Sequence, residues 1–486
     1  MRRAGARGLL LCAVLGVLSP PQPVEGQGAT LVWGRCPVFE STAPSRCGTF
    51  TVPEDPAVPE GRTLALRVIV HLARQPASRA APLFLLAGGP GQTITDAAPR
   101  LATSPLREHH DLVLLDQRGT SAQMRLDCEL AGTPDDPQGY LDQTFDPKVF
   151  ARCRDDLSKR ADLRFYSSEL AADDVDALRQ ALGASSMNLS GTSYGTRLAL
   201  EIIRRHPDRV RAAYLVSPLP IANRNPLFHA RSAQSALDSL VRDCERELKC
   251  REAYPTLRAE LDSLVGRLRR AAAVTQVTPP DGARSVAVRL SLENVGEALR
   301  TLMYQESNGP LIPRLIHGAY LGNYAELAQH ALASNRRLRG SLRLGMLQSV
   351  ICGEDVPRIA EAEIAEATAR TMLGESRVRT QMAACNGWPR SRISPGFGEP
   401  VRSSTVPVLV VSGTRDPVTP APWGEETARH FARGRHIVVP GGHGPSGSCL
   451  TSIAAEFFER ADALAVDASC TAGMRYPDLA PPSAKR

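Results

Sequence analysis

The sequence predicts an α/β fold: a mostly parallel sheet with helices on both faces and a largely helical insertion in its second half. Three observations carry that expectation. Short, continuous apolar runs recur without polar alternation, as strands buried on both faces require. Helical periodicity fills many of the gaps between them, which is the pattern of strand–helix–strand units. Residues 222–400 then break the rhythm with long amphipathic helical patterns.

In chain order, the first element is a leader. Arg2, Arg3 and Arg7 precede the apolar run LLLCAVLGVL, and SPPQPVEG follows with small residues near Gly26. Residues 1–26 read as a secretory signal, too short to anchor in a bilayer. Cys12 follows a leucine, so no lipoprotein site is expected. The first part of the core, 27–221, carries runs at 64–73, 82–88, 111–116, 186–191 and 210–217. DDVDALRQALG (173–183) sets Val175, Leu178 and Leu182 on one helical face, with Gly183 as its stop. Leu198, Ala199, Ile202 and Ile203 form a second stripe that ends at HPDR. In the insertion, the patterns at 230–248 and 254–273 read as packing helices of a cap, not as membrane or partner sites. The core resumes over 401–486 with runs at 406–413 and 436–442, and the tail PDLAPPSAKR reads as frayed.

The 486 residues exceed one minimal core, and 43% apolar with 22% charged residues is ordinary for a globular protein. The net charge is +7; losing three arginines and Glu25 with the leader leaves +5, and no basic block suggests a nucleic-acid arm. Eleven cysteines less Cys12 leave ten, an even number in an exported chain, which fits disulfides. Nearest neighbours would pair Cys36 with Cys47, Cys128 with Cys153, Cys244 with Cys250, Cys352 with Cys385 and Cys449 with Cys470; spacing leaves the connectivity open. No zinc-type pair of C-x-x-C motifs occurs, so neither a metal nor an organic cofactor is expected.

The chemistry begins at NLSGTSYGTRLAL (188–200), where Ser193 lies between Gly191 and Gly195 at a strand-to-helix junction. A sharp turn of that kind needs little bulk beside the nucleophile and aims a helix N-terminus at it. The Tyr194 N–H becomes one oxyanion donor. Asp416 in VSGTRDPVTP and His443 in VVPGGHGPSG each follow a strand, giving the order Ser, Asp, His. Taken alone, Asp416 reads as a turn starter and Ser193 as a capping serine; the order and the strand contexts turn three weak signals into one. LLAGGPG (85–91) offers the N–H groups of Gly88 or Gly89 as the second oxyanion donor, and Asp116 and Arg118 in DQRGTS read as braces for that loop. The Asn188–Ser190 glycosylation sequon falls in an expected buried strand and is discounted.

The segments AGGPG, DQRGTS, GTSYGTRLALEIIRRHPDRV, GTRDPVTP and GGHG together resemble the proline iminopeptidase and tripeptidyl aminopeptidase family of α/β-hydrolases, its exported, cysteine-containing branch above all. The resemblance covers roughly residues 30–220 and 340–475. It implies Ser193 as nucleophile, His443 as general base and acid, and Asp416 as the group orienting His443. It also supports the Cys352–Cys385 and Cys449–Cys470 pairings. Ala87 stands where many relatives carry histidine, and Ser121 where they often carry glycine. An aminopeptidase needs a carboxylate for the substrate's ammonium group, and the resemblance points to Glu354 and Asp355 beside Cys352. The expected activity is an exported serine aminopeptidase, periplasmic or secreted, acting on a peptide or small acyl substrate, with one, two or three residues released equally compatible with the residues. An esterase with the same triad is the enzymatic alternative. A non-catalytic binding protein on this scaffold is the other. No nucleic-acid partner or membrane anchor is expected, and the oligomeric state stays open.

Overall fold

The computed structural model describes residues 24–26, 28–39, 44–75, 80–133, 135–142, 144–278 and 284–480. Most of the expected leader, with Cys12, lies outside the described residues. Its last three positions, Val24–Gly26, form strand β1 and pair with β2 (Ala29–Gly34). There follow β3 (Ser45–Pro53), β4 (Thr63–His71), β5 (Leu83–Leu86), β6 (Leu112–Leu115), β7 (Met187–Thr192) and β8 (Val210–Val216). A hairpin, β9 (Ala273–Val277) and β10 (Val286–Leu290), stands apart. Strands β11 (Val408–Gly413) and β12 (Gly434–Val439) complete a ten-stranded sheet in the order β1-β2-β3-β4-β6-β5-β7-β8-β11-β12.

All seven apolar runs named from the sequence are strands. Those from β6 through β5 to β12 pair in parallel, whereas β1 to β4 and the β4–β6 pair are antiparallel. Strands β5 and β6, at the centre of the sheet, are apolar at every position because both their faces are covered. Phe84, Leu86, Val113, Leu115, Leu215 and Val410 enter one core, and Leu83, Leu85, Leu112, Leu114, Tyr214 and Val411 enter the other. That alternation is the period-2 geometry of a strand, and each such side chain contributes about 1.5–3 kcal/mol by its burial.

Helices α1 (Ser168–Ala181) and α2 (Tyr194–Arg205) cover the first face, and α11 (Ser448–Arg460) the second, with α10 (Ala421–Arg429) between β11 and β12. Ser167 caps α1 by accepting from Leu170 N, and Gly183 just beyond its end takes a φ of +72°. Between β8 and β11 run α3 (His229–Arg246), α4 (Leu257–Arg270), α5 (Leu292–Leu302), α6 (Leu311–Tyr320), α7 (Ala325–Ser341), α8 (Leu344–Val350) and α9 (Ser376–Ala384), with the hairpin among them. This segment is not uniform. Leu240, Leu264, Leu299, Ile316 and Leu332 share a core of their own. Leu344, Val350, Ile351, Val378 and Trp388 pack instead into the core beneath the sheet. The expected 222–400 insertion thus divides near Leu342 into an outer cap and a part that belongs with the sheet. No described helix is long and apolar enough to cross a membrane.

Candidate active site

Strand β5 lies between β6 and β7, so the chain leaves it towards one neighbour and later returns beside it on the other. Ligands of open α/β sheets sit at that kind of reversal, beyond the carboxyl ends of the strands. The loops after β5, β7, β11 and β12 carry Gly88, Ser193, Asp416 and His443 there.

Ser193 holds φ +58° and ψ −125°, a strained conformation for a residue with a side chain. The glycines make it sterically open. A Cβ on Gly191 would lie 2.4 Å from Gly195 O, and one on Gly195 would lie 2.2 Å from Leu86 O. Ser193 N donates to Val216 O at 3.0 Å, tying the turn to β8. Tyr194 opens α2, where N–H groups have no partner within the helix. Gly88 approaches from β5; a Cβ there would lie 3.4 Å from Ser193 Cβ. None of the N–H groups of Tyr194, Gly88 and Gly89 donates a described hydrogen bond.

Asp416 and His443 are joined. His443 Nδ1 lies 2.9 and 3.0 Å from the two carboxylate oxygens of Asp416. Asp416 is 3% exposed. Its carboxylate also accepts from Val418 N, Thr419 N and Thr419 Oγ1 at 2.8 to 2.9 Å, which fixes its orientation. His443 is held on its other side by the cap: its N–H donates to Tyr304 O at 2.9 Å, and the Tyr304 ring meets the imidazole edge-on at 4.9 Å. Gly444 N donates to Ser217 Oγ at 2.9 Å. No described hydrogen bond joins Ser193 to His443; such bonds are often long without substrate and tighten on binding.

Asp116 accepts from Ile94 N, Thr95 N and Thr95 Oγ1, bracing the chain just past the glycine loop. Arg118 pairs with Asp174 of α1 through two bonds of 2.8 Å. Ser121 accepts from Arg67 N at 2.9 Å and so pins β4. Asn188 is fully buried in β7 and donates to Ala81 O, which removes the sequon from solvent. The structure joins the ten cysteines in the five nearest-neighbour pairs. No described group of His, Cys, Asp and Glu could hold a metal ion.

Glu354 and Asp355 do not face the substrate side; both are 0% exposed, in a π-helical turn after α8. Glu354 accepts from Ser168 N at 2.6 Å and Ser168 Oγ at 2.8 Å, and that hydroxyl also meets Tyr194 OH at 3.0 Å. Arg197 of α2 donates to both oxygens of Asp355 at 2.9 Å, and Arg358 adds a bond of 3.0 Å. The amine-binding role expected of these two carboxyls is therefore corrected. They neutralise a guanidinium buried beneath the nucleophile turn, and burial pushes the Glu354 carboxyl up to about 7. The signal lay in Arg197, a cation on the apolar face of α2 that demands an internal counter-charge.

The cleft leading from the site lies in the cap. A cavity of about 100 Å³ is lined by Gly89, Pro90, Tyr304, Arg300, Arg377 and Val418, among others. It adjoins one of about 400 Å³ that includes Glu293 and Glu297; the two share Thr144, Phe145, Leu338 and Arg377. Glu297 accepts from Arg300 Nε and sits 2.9 Å from His229 Nε2. Glu293 makes no described ion pair, and burial raises its pKa. Nothing in the sequence marks these charges off from ordinary helix-surface residues.

A family model described as alpha/beta hydrolase fold matches residues 81–280, and one described as TAP-like protein matches residues 370–470. Serine protease Hip1 of Mycobacterium tuberculosis is 31% identical over 253 residues, covering 47% of this chain and 46% of the relative. Carboxylesterase B of the same species is 26% identical over 278 residues, covering 50% and 53%. The tripeptidyl aminopeptidase of Streptomyces lividans is 28% identical over 207 residues, covering 38% and 37%. The chain spans about half the length of the curated relatives it matches or less. Among solved structures, proline iminopeptidase of Mycobacterium smegmatis aligns with a TM-score of 0.38 at 18% identity, covering 86% of this chain and 99% of that one.

Proposed function

The chain is an α/β-hydrolase related to the TAP-like proteins, and from that premise we propose that it is an exported serine aminopeptidase. The observation that carries this reading is the hydrogen-bonded Asp416–His443 pair beyond the same sheet edge as the strained Ser193 turn. Ser193 Oγ attacks the substrate carbonyl as His443 Nε2 takes its proton, while Asp416 keeps the other ring nitrogen protonated and the ring in place. The Tyr194 and Gly88 or Gly89 N–H groups receive the developing oxyanion. His443 then gives its proton to the leaving amine, and water, deprotonated by the same imidazole, releases the acyl group from Ser193.

Recognition of a free amine falls to Glu293. Burial and the neighbouring Glu297 destabilise its charge by more than Ser376 and Arg377 restore, and an ammonium group would relieve that. Five disulfides favour an oxidising compartment and hence export. The similarity to carboxylesterase B favours a second reading, an esterase with the same triad.

The test is fluorophosphonate labelling mapped by mass spectrometry, followed by peptidyl anilides with free and acetylated amines set against p-nitrophenyl esters. The expected result is a label on Ser193 and a preference of about tenfold or more for the free amine, lost in Glu293→Gln. Hydrolysis of esters alone would establish the esterase. Equal rates on free and acetylated peptides would remove the aminopeptidase assignment.

A further inference from the structure

The cleft beside Gly89 carries a buried hydrogen-bond donor with no acceptor. Gln381 on α9 is 0% exposed and lines the smaller cavity. Its amide oxygen accepts from Arg377 Nε at 3.0 Å, while its Nε2 has no hydrogen-bond partner. Because the oxygen is committed to Arg377, turning the amide over would place its donor group against another donor. A buried amide N–H left without an acceptor is uncommon in folded proteins and calls for an explanation.

Arg377 lies one turn earlier on the same helix face. Its guanidinium carbon sits 4.1 Å from the Phe145 ring centroid, which holds the group flat against the cleft wall. Among the described residues, the bond to Gln381 is its only hydrogen bond, and no described ion pair involves it. Glu297 is already taken by Arg300 and His229, and Glu293, which lines the outer cavity together with Arg377, makes no described ion pair with it. Burial disfavours the charge on Arg377 and Arg300 adds to that, and together they outweigh the favourable fields of Glu297, Glu293 and Tyr304. The wall therefore presents a planar cation and an unpaired amide donor one helical turn apart. The ligand chemistry that matches both is an acceptor-only anion with two oxygens.

We propose that Arg377 and Gln381 form a subsite for a carboxylate of the peptide substrate, held by the Arg377 Nη groups and Gln381 Nε2. This rests on the peptidase reading of Ser193. Two sources share that chemistry: an acidic side chain in the residues to be released, and the C-terminal carboxylate of a short peptide.

The experiment is calorimetric titration of the Ser193→Ala protein, which needs no turnover. One arm uses hexapeptide amides carrying Glu or Gln at each of the first three positions in turn. The other uses a neutral hexapeptide with a free or an amidated C-terminus. In one arm the carboxylate form should bind about 10- to 100-fold tighter, the range for hydrogen bonds to a charged group. That ratio should fall to about twofold or less once Arg377→Met removes them, and remain partly in Arg377→Lys. Gln381→Leu deletes the orphan donor without a charge and should lose a smaller part of the ratio, which keeps the test decisive if Arg377→Met fails to fold. Equal affinities in both arms, no measurable binding of any peptide, or a ratio unchanged by both Arg377→Met and Gln381→Leu would overturn the proposal. Failure of the peptidase reading is separate, showing as ester-only hydrolysis or an unlabelled Ser193 in the wild-type enzyme.

Discussion

Gly195→Ala tests whether the nucleophile turn and the oxyanion loop are one unit. The added Cβ would meet Leu86 O at 2.2 Å and Ala87 O at 2.9 Å. Real Cβ atoms essentially never approach within 3.0 Å, so the backbone must open by at least 0.8 Å at Leu86. Neither side of the contact is a flexible side chain. The separation acts between β5, which leads into Gly88, and the first turn of α2, which supplies the Tyr194 N–H, so it pulls the two oxyanion donors apart. Overpacking of this kind costs about 1–3 kcal/mol of stability. Misplacement on the order of 1 Å costs about 100-fold in rate. Gly266→Ala is the control: it lies within α4, and its nearest neighbour for a new Cβ is Arg270 Nη1 at 3.9 Å. That change should stabilise by up to about 1 kcal/mol. Both variants are compared by kcat on a p-nitrophenyl ester and by thermal unfolding. A Gly195→Ala enzyme with wild-type kcat and unchanged melting would refute the claim that this contact sets the geometry of the site.

Three further outcomes follow from named contacts. Asp416→Asn keeps the shape but sets an amide against His443 Nδ1 and the N–H groups of Val418 and Thr419, so kcat should fall about 10⁴-fold; a loss under about tenfold would deny Asp416 its orienting role. Removing the Cys352–Cys385 bridge, with a sequence separation of 33, should cost about 3–4 kcal/mol, against about 2 kcal/mol for Cys244–Cys250, with a separation of 6; denaturant midpoints of the paired Cys→Ala variants report the order, and its reversal would count against loop entropy as the cause. Glu354 has its folded pKa raised from 4.5 to about 7, so the stability it confers is present below pH 4.5 and lost as pH rises towards 7. Wild type should lose up to about 3 kcal/mol across that window relative to Glu354→Gln; parallel stability–pH curves for the two proteins would contradict the shift.

What the sequence made legible was decided by burial on both sides. The strands β5 and β6 are continuous apolar runs, and β8 and β11 are broken only by Arg211 and Ser412, because helices cover both faces, and such runs stand out against any surroundings. Strands β2 and β3 did not stand out: ATLVWG and SRCGTFTVP mix half-buried threonine, serine and glycine, and one of their faces is only partly covered. Ser193, Asp416 and His443 could be singled out as candidates because each follows a strand, and glycines border Ser193 and His443. Glu354 and Asp355 were misread because a short acidic pair beside a cysteine looks the same whether it faces water or a buried arginine. Only the pairing of Arg197 with a turn some 160 residues later tells them apart. Gln381 carries no local sign at all, since its interest lies in the partner it lacks.

Of the triad residues, His443 is gripped by both parts of the molecule. The sheet side supplies Asp416 and, through Gly444, Ser217. The cap supplies Tyr304, which follows α5 and both accepts the His443 N–H and lies against the ring. Tyr304 is itself fixed, since Arg300 donates to its hydroxyl at 2.8 Å and bonds Glu297 at 2.9 Å. The same helix carries Glu293 into the outer cavity. A shift of α5 therefore changes the substrate cleft and the setting of the imidazole together. In this arrangement the cap touches His443 as well as walling the cleft. Tyr304, Arg300 and Glu297 thus join the wall of the cavity to His443 by direct contacts.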